Sequence, residues 1–185
     1  MGRRRTGRRL LAGACLLTFL SAGCTPDDPP PPPPSTSVPS PTPTENAQER
    51  EERLAYEAAE KSYREFRAEY NRVLASGGAS KPTKLMLENA GGPYLAELQS
   101  GSEAFRGLHH YTRGTEKIAS IRPDGYSPDE VIMQICEDSR GVTTFDAKGR
   151  KLYGGDLREL SLVFRLKEGR WKAWTGTGMK VAECA

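Results

Sequence analysis

An α+β fold, helices first and an antiparallel sheet after them, is what this sequence predicts, on three observations. Tyr56, Ala59, Tyr63, Phe66, Tyr70 and Val73 recur at spacings of three and four, the period of one helix face. From His109 onward the period changes to two. In its clearest stretch Leu160, Leu162, Phe164 and Leu166 alternate with Ser161, Val163, Arg165 and Lys167, as side chains on opposite faces of a strand do. Breakers then divide the chain at Gly77-Gly78, Gly91-Gly92, Pro123-Asp124-Gly125 and Glu168-Gly169.

The chain has 185 residues, a length for one domain with appendages. Residues 1–23 read as an export signal. Five arginines and no acid precede Leu10, and the apolar run 10–20 is too short to span a bilayer, which takes about 20 residues. Ser21-Ala22-Gly23-Cys24 resembles the lipobox of bacterial lipoproteins, although Ser21 stands where Leu is more usual. That resemblance implies cleavage before Cys24, lipid (palmitate) on its sulfur, and a place on the outer face of the cell membrane. The alternative is a secreted protein with a chance cysteine. Arg8-Arg9 leaves the general secretory and twin-arginine routes both open.

Cleavage changes the charge. The whole chain carries 27 basic and 24 acidic residues, formally +3. Loss of the five arginines leaves 22 against 24, or −2, so the basic balance belongs to the discarded segment and gives no reason to expect nucleic acid. It changes the cysteine count as well. Cys15 leaves with the signal and Cys24 is acylated, so Cys136 and Cys184 remain. In an oxidising compartment they most simply form one disulfide, the alternative being two free buried thiols. Neither has a Cys or His at ligand spacing, and no metal is expected.

Residues 25–44 contain Pro29 to Pro34 unbroken and otherwise mostly Ser, Thr and Pro. They lack the apolar mass for a core and read as a semi-rigid spacer, reaching up to about 60 Å at roughly 3.1 Å per residue. The folded domain is 45–185. Its first helix is expected to start with Thr42 as N-cap, Pro43 at the first helical position and Glu45 at the third. The turns over 46–53 have no apolar stripe and are expected to fray. Glu57/Lys61 and Glu60/Arg64 are placed to pair across turns, and Gly77-Gly78 stops the helix. Short helices follow over 82–89 and from Pro93, the latter resuming over 103–108. Strands are predicted over 111–122, 130–137, 141–146, 157–167 and 170–181, with turns at Asp146–Gly149 and at Glu168-Gly169.

The long amphipathic helix with its aromatic stripe Tyr56/Tyr63/Phe66/Tyr70, two short helices, the Gly169-Arg170-Trp171 hairpin return and Cys136-Glu137-Asp138 closing an inner strand resemble the nuclear-transport-factor-2-like superfamily, which includes SnoaL-like cyclases and ketosteroid isomerases. The resemblance covers about 45–184, a cystatin-like domain being the nearest rival. It implies four to five strands in a curved sheet, wrapped round the helix as a cone with an open mouth. It also implies that an enzyme of this kind would set a carboxylate or histidine base and an acidic donor inside. Candidates here are His109, His110, Asp138, Tyr63 and Tyr70; Trp174 is a further residue that could line the cavity. Adjacent on a strand, His109 and His110 would point to opposite faces. Asp138 precedes Ser139-Arg140-Gly141, a turn composition, and the tyrosines lie on the apolar stripe. No HExxH, P-loop, GxGxxG or Ser-His-Asp signature is present, and Gly176-Thr177-Gly178 has no helix after it to bind phosphate. No cofactor is expected.

The sequence thus leads to a non-catalytic envelope module, held by lipid on Cys24. Its partner is an envelope protein, peptidoglycan or a small apolar ligand, and it could form a homodimer through the sheet. An isomerase- or cyclase-like enzyme, and a subunit of a secretion or transfer assembly, are the alternatives.

Overall fold

The computed structural model describes residues 45–184. The export segment, Cys24, the proline-rich spacer and the Thr42–Pro43 cap lie outside the described residues.

Helix α1 spans Ala47–Ala75. It begins four residues later than Pro43 suggested, because Asn46 is the better cap. The Asn46 side chain accepts from the Glu49 N–H at 2.9 Å, and Glu49 Oε2 accepts from the Asn46 N–H at 2.9 Å. That reciprocal pair satisfies two orphan donors and keeps the first turns helical although they bury little. Arg53 reinforces them, bonding Glu45 and Glu57 at 2.8 Å each. Glu60–Arg64 pairs as expected at 2.8 Å, whereas Lys61 turns to Glu65 at 4.0 Å because Arg53 holds Glu57. Helix α2 is Lys84–Asn89, capped by Thr83. Helix α3 runs unbroken over Gly92–Leu108 with Pro93 in its first turn. His109 closes it in the left-handed conformation, φ 53°, so the two histidines end a helix and do not sit in a strand.

Seven strands follow: β1 Tyr111–Arg113, β2 Lys117–Ser127, β3 Glu130–Asp138, β4 Thr143–Phe145, β5 Lys151–Gly154, β6 Leu157–Lys167 and β7 Arg170–Lys180. They form two antiparallel sheets, ordered β1-β4-β5 and β2-β3-β6-β7, where one sheet of four to five strands was expected. The predicted strand over 111–122 is two strands, separated at Gly114. β2 also continues through Pro123. It is an edge strand, where a residue without an N–H is tolerated, and a bulge between Pro123 and Gly125 absorbs the irregularity. Further irregularities at Ile118/Ser120 and Val163/Phe164 bend the large sheet.

The core lies between α1 and one face of this sheet. Ala55, Ala59, Tyr63, Phe66, Tyr70 and Val73 are buried against Val131, Met133 and Ile135 of β3, Leu160, Leu162 and Phe164 of β6, and Ala173 of β7. Tyr63 meets Phe164 edge-on and Phe66 stacks on Tyr70. On the other face of β3, Cys136 is buried and bridged to Cys184, Cα–Cα 6.0 Å.

Candidate functional site

The parity of β3 puts a charge in the core. Val131, Met133 and Ile135 face α1, so Glu137 does too, with a side chain 3 % exposed. Helix periodicity supplies its partner. Arg67 is four residues after Tyr63 and three before Tyr70, and its side chain is 11 % exposed. Arg67 Nε lies 2.7 Å from Glu137 Oε1. The guanidinium also donates twice to Glu116, which is 7 % exposed, through Nε to Oε1 at 3.0 Å and through Nη2 to Oε2 at 2.6 Å. Ser139 Oγ donates to Glu116 Oε2 at 2.7 Å and Asn71 Nδ2 to Oε1 at 3.2 Å. The Tyr63 hydroxyl donates to Glu137 Oε1, and the Tyr70 ring sits 5.5 Å from the guanidinium carbon.

Burial pushes the Glu137 carboxyl up. The Arg67 charge opposes this and the Glu116 charge adds to it. Burial would raise Glu116 as well, but the charge and hydrogen bonds of Arg67, with those of Ser139 and Asn71, outweigh it and hold Glu116 below the usual carboxylate range. Burial pushes the Tyr63 hydroxyl well up and Tyr94 up to about 12. Against desolvation, the surrounding acidic groups keep Arg67 firmly charged.

This cluster forms one wall of a pocket of about 320 Å³ lined by Arg67, Tyr94, Glu137, Leu98, Leu160 and Leu162, with the exposed Glu97 and Arg158 at its open side. Arg158 is directly opposite Glu137 across the β3–β6 ladder. The space exists because β7 presents glycine there: Gly178 pairs with Leu160 and Gly176 with Leu162. A Cβ on Gly176 would fall 2.3 Å from Leu162 Cδ2 and 2.6 Å from the Ser161 carbonyl oxygen. Gly176→Val is therefore expected to lower stability by about 1–3 kcal/mol through overpacking while filling the pocket, which the urea midpoint measures.

The residues singled out from the sequence divide. Tyr63 belongs to the buried cluster. Tyr70 touches it from the side, its hydroxyl donating to the Leu98 carbonyl at 3.1 Å. Trp174 lines no part of the pocket; its ring fills the space above Gly91 and Gly92, where a Cβ would come within 2.7 Å, and Arg165 and Lys167 lie over it. His109 is exposed, and with His110 it lines a separate cleft of about 900 Å³ beside Gly77, Arg106 and Tyr111. Asp138 caps its turn and is held down to about 2 by hydrogen bonds from Arg140. Arg67, Glu116 and Arg158 are not among the residues the sequence singles out, and Glu137 enters there only as part of the strand end Cys136-Glu137-Asp138. The signals for three of them were available: Arg67 in line with the aromatic stripe, Glu137 at inner parity after Ile135, and Arg158 at the parity of Leu160. Among the described residues, no group of three or more His, Cys, Asp or Glu side chains could hold a metal ion.

The structure defines an α+β domain in which a long helix and an antiparallel sheet enclose a buried ion cluster and a small pocket. No family model matches the sequence, nor does any curated protein. Among solved structures, the chain is similar to the intermembrane-space region of the chloroplast protein ARC6 (11 % identity, TM-score 0.46, covering 65 % of this chain and 96 % of that one). It is also similar to an NTF2-like family member from Streptomyces avermitilis (14 %, TM-score 0.45, 71 % and 99 %). An NTF2-like protein with a cystatin-like fold from Novosphingobium aromaticivorans is similar too (14 %, TM-score 0.42, 76 % and 93 %).

Proposed function

We propose that this chain is a lipid-anchored, extracytoplasmic binding module that takes a small ligand in the Arg67–Glu137 pocket without transforming it. The observation that carries the reading is the mutual pairing of the buried ionisable groups. Glu137 Oε1 is shared by Tyr63 and Arg67, and both Glu116 oxygens are taken by Arg67, Asn71 and Ser139. A general base needs a free lone pair aimed at a substrate proton, and the pairing removes three of these four oxygens from that role. The leucine walls and the charged open side suit a ligand with an apolar body and a polar head.

The anchor is supported by Ser21-Ala22-Gly23-Cys24 after a short apolar run. Radiolabelled palmitate should enter the chain in its own cells and be lost in Cys24→Ala; labelling that survives the substitution refutes the anchor. For the pocket, the full chain extracted from membranes is expected to carry a small-molecule mass increment in native mass spectrometry, absent in Gly176→Val. An increment unchanged in that variant places the ligand elsewhere.

The isomerase- or cyclase-like alternative draws on one observation. Glu137 is buried, raised and on the pocket wall. It requires the Oε2 atom to do the work alone, and a product formed from a captured ligand, abolished by Glu137→Gln, would establish it.

A further inference from the structure

A second depression, of about 490 Å³, lies between the first half of α1 and the edge strand β2. Its floor is apolar, made by Tyr56, Ile121, Pro123 and Met133. Its rim comes from α1: Glu49, Glu52, Glu57 and Glu60, with Arg53 as the one cation. Glu60 is paired with Arg64 from outside the groove, so four carboxylates against two guanidinium groups leave the rim at −2. The Arg53 charge is already engaged by Glu45 and Glu57, and Glu52 has no ion pair or hydrogen bond among the described residues. The field is felt at the floor, where burial first, then Glu52 and Asp124, raise the Tyr56 hydroxyl. From Glu49 to Glu60 the rim runs about 16 Å at 1.5 Å per residue, the length of roughly five residues of extended chain.

We propose that this groove docks a short cationic segment of another protein, an extended stretch that seats an aliphatic or aromatic side chain on Tyr56 and Ile121 and sets lysines or arginines against the glutamates. Charge complementarity selects this occupant. The chain's own spacer is excluded by the same argument, since residues 25–44 contain Asp27 and Asp28 and no basic residue. A second copy would bring an identical acidic rim to face this one. Strand addition at the neighbouring edge is blunted by Pro123 and the two bulges of β2, so the groove and not the strand edge is the docking surface.

The experiment is fluorescence polarisation with the full chain in a non-ionic detergent and three labelled pentapeptides, Lys-Leu-Lys-Phe-Lys, Ser-Leu-Ser-Phe-Ser and Glu-Leu-Glu-Phe-Glu. The cationic peptide is expected to bind at least tenfold more tightly than the neutral one, to weaken as salt is raised, and to lose about tenfold in Glu52→Lys. Ile121→Ser, with its fold checked by circular dichroism, should weaken the cationic and neutral peptides alike. Equal binding of all three peptides, or an unchanged affinity in Glu52→Lys, overturns the proposal. So does a dimer without peptide that Glu52→Lys dissociates, which would make the occupant a second copy.

Discussion

Replacing Arg67 by methionine lowers the stability of the domain by about 3–5 kcal/mol at neutral pH, the cost of leaving buried charge without its partner. Methionine fills much of the volume of the arginine stem, so the loss is electrostatic more than a matter of packing. It strands Glu137 and Glu116, of which 3 % and 7 % is exposed. The pH dependence identifies the cause. In the native protein Glu137 is raised by burial; its contribution is fully present below its unfolded value and is lost as pH rises through its folded value. Glu116 is lowered, against desolvation, by Arg67; its contribution is present above the unfolded value and lost as pH falls through the folded one. Without Arg67 both carboxyls rise. The variant should therefore lie closest to the native protein in acid, where both are protonated, and farthest from it at neutral pH. Adding Glu116→Gln and Glu137→Gln to Arg67→Met should recover most of the loss, since a network removed whole costs far less than one broken. Urea midpoints across pH measure all of this, and a neutral-pH loss below about 1 kcal/mol would show the cluster to be incidental.

The same cluster marks where sequence reading succeeds and where it stops. Periodicity found α1, β3 and β6 because each buries one face, and burial writes its period into the sequence; β7, with only Ala173 buried, followed from the Glu168-Gly169 hairpin. β6 agrees with its predicted range of 157–167, because Leu160, Leu162, Phe164 and Leu166 alternate with Ser161, Val163, Arg165 and Lys167 and a glycine turn follows. Short strands at the small sheet carried less signal. β5 has no buried residue, so no alternation announced it. The helix from Pro93 was expected to be interrupted before resuming over 103–108, yet Ser102 is fully buried within α3 and its hydroxyl accepts from the Ala79 N–H at 2.9 Å; tertiary contact overrode propensity. The pocket was harder. Parity exposes Glu137 and Arg158, but that Arg67 reaches Glu116, 49 residues away, depends on how the β1–β2 connection returns to the helix, and no local pattern records that. The glycines at 176 and 178 lie within the strand expected over 170–181, but nothing in the sequence says that they face a pocket. Inside a strand they mark a wall without side chains.

Removing the Cys136–Cys184 bridge, as the double variant Cys136→Ser/Cys184→Ser, lowers stability by about 4 kcal/mol in the chain-entropy model, for a sequence separation of 48. The bridge joins the end of the chain, just past the edge strand β7, to β3, with β6 between them in the sheet. Among the described residues beyond β7, the backbone bonds the sheet through the Val181 N–H to the Leu157 carbonyl at 3.0 Å. Two consequences separate this loss from that of Arg67→Met. It acts mainly by freeing the unfolded chain, so it should be nearly constant across the pH range in which the Arg67 variant changes most. Its local effect should fall on β7, whose amides lose hydrogen-exchange protection while those of α1 and β3 keep theirs. A reductant added to the native protein should reproduce the loss and leave the double variant unaffected. If the loss instead tracks pH, or protection falls in α1 as readily as in β7, the bridge is holding the ion cluster in place and not stapling the edge strand. The wall formed by Gly176 and Gly178 lies on that strand, so a frayed β7 should also weaken ligand retention more than the loss of global stability accounts for, and this ties the disulfide to the pocket through a single element.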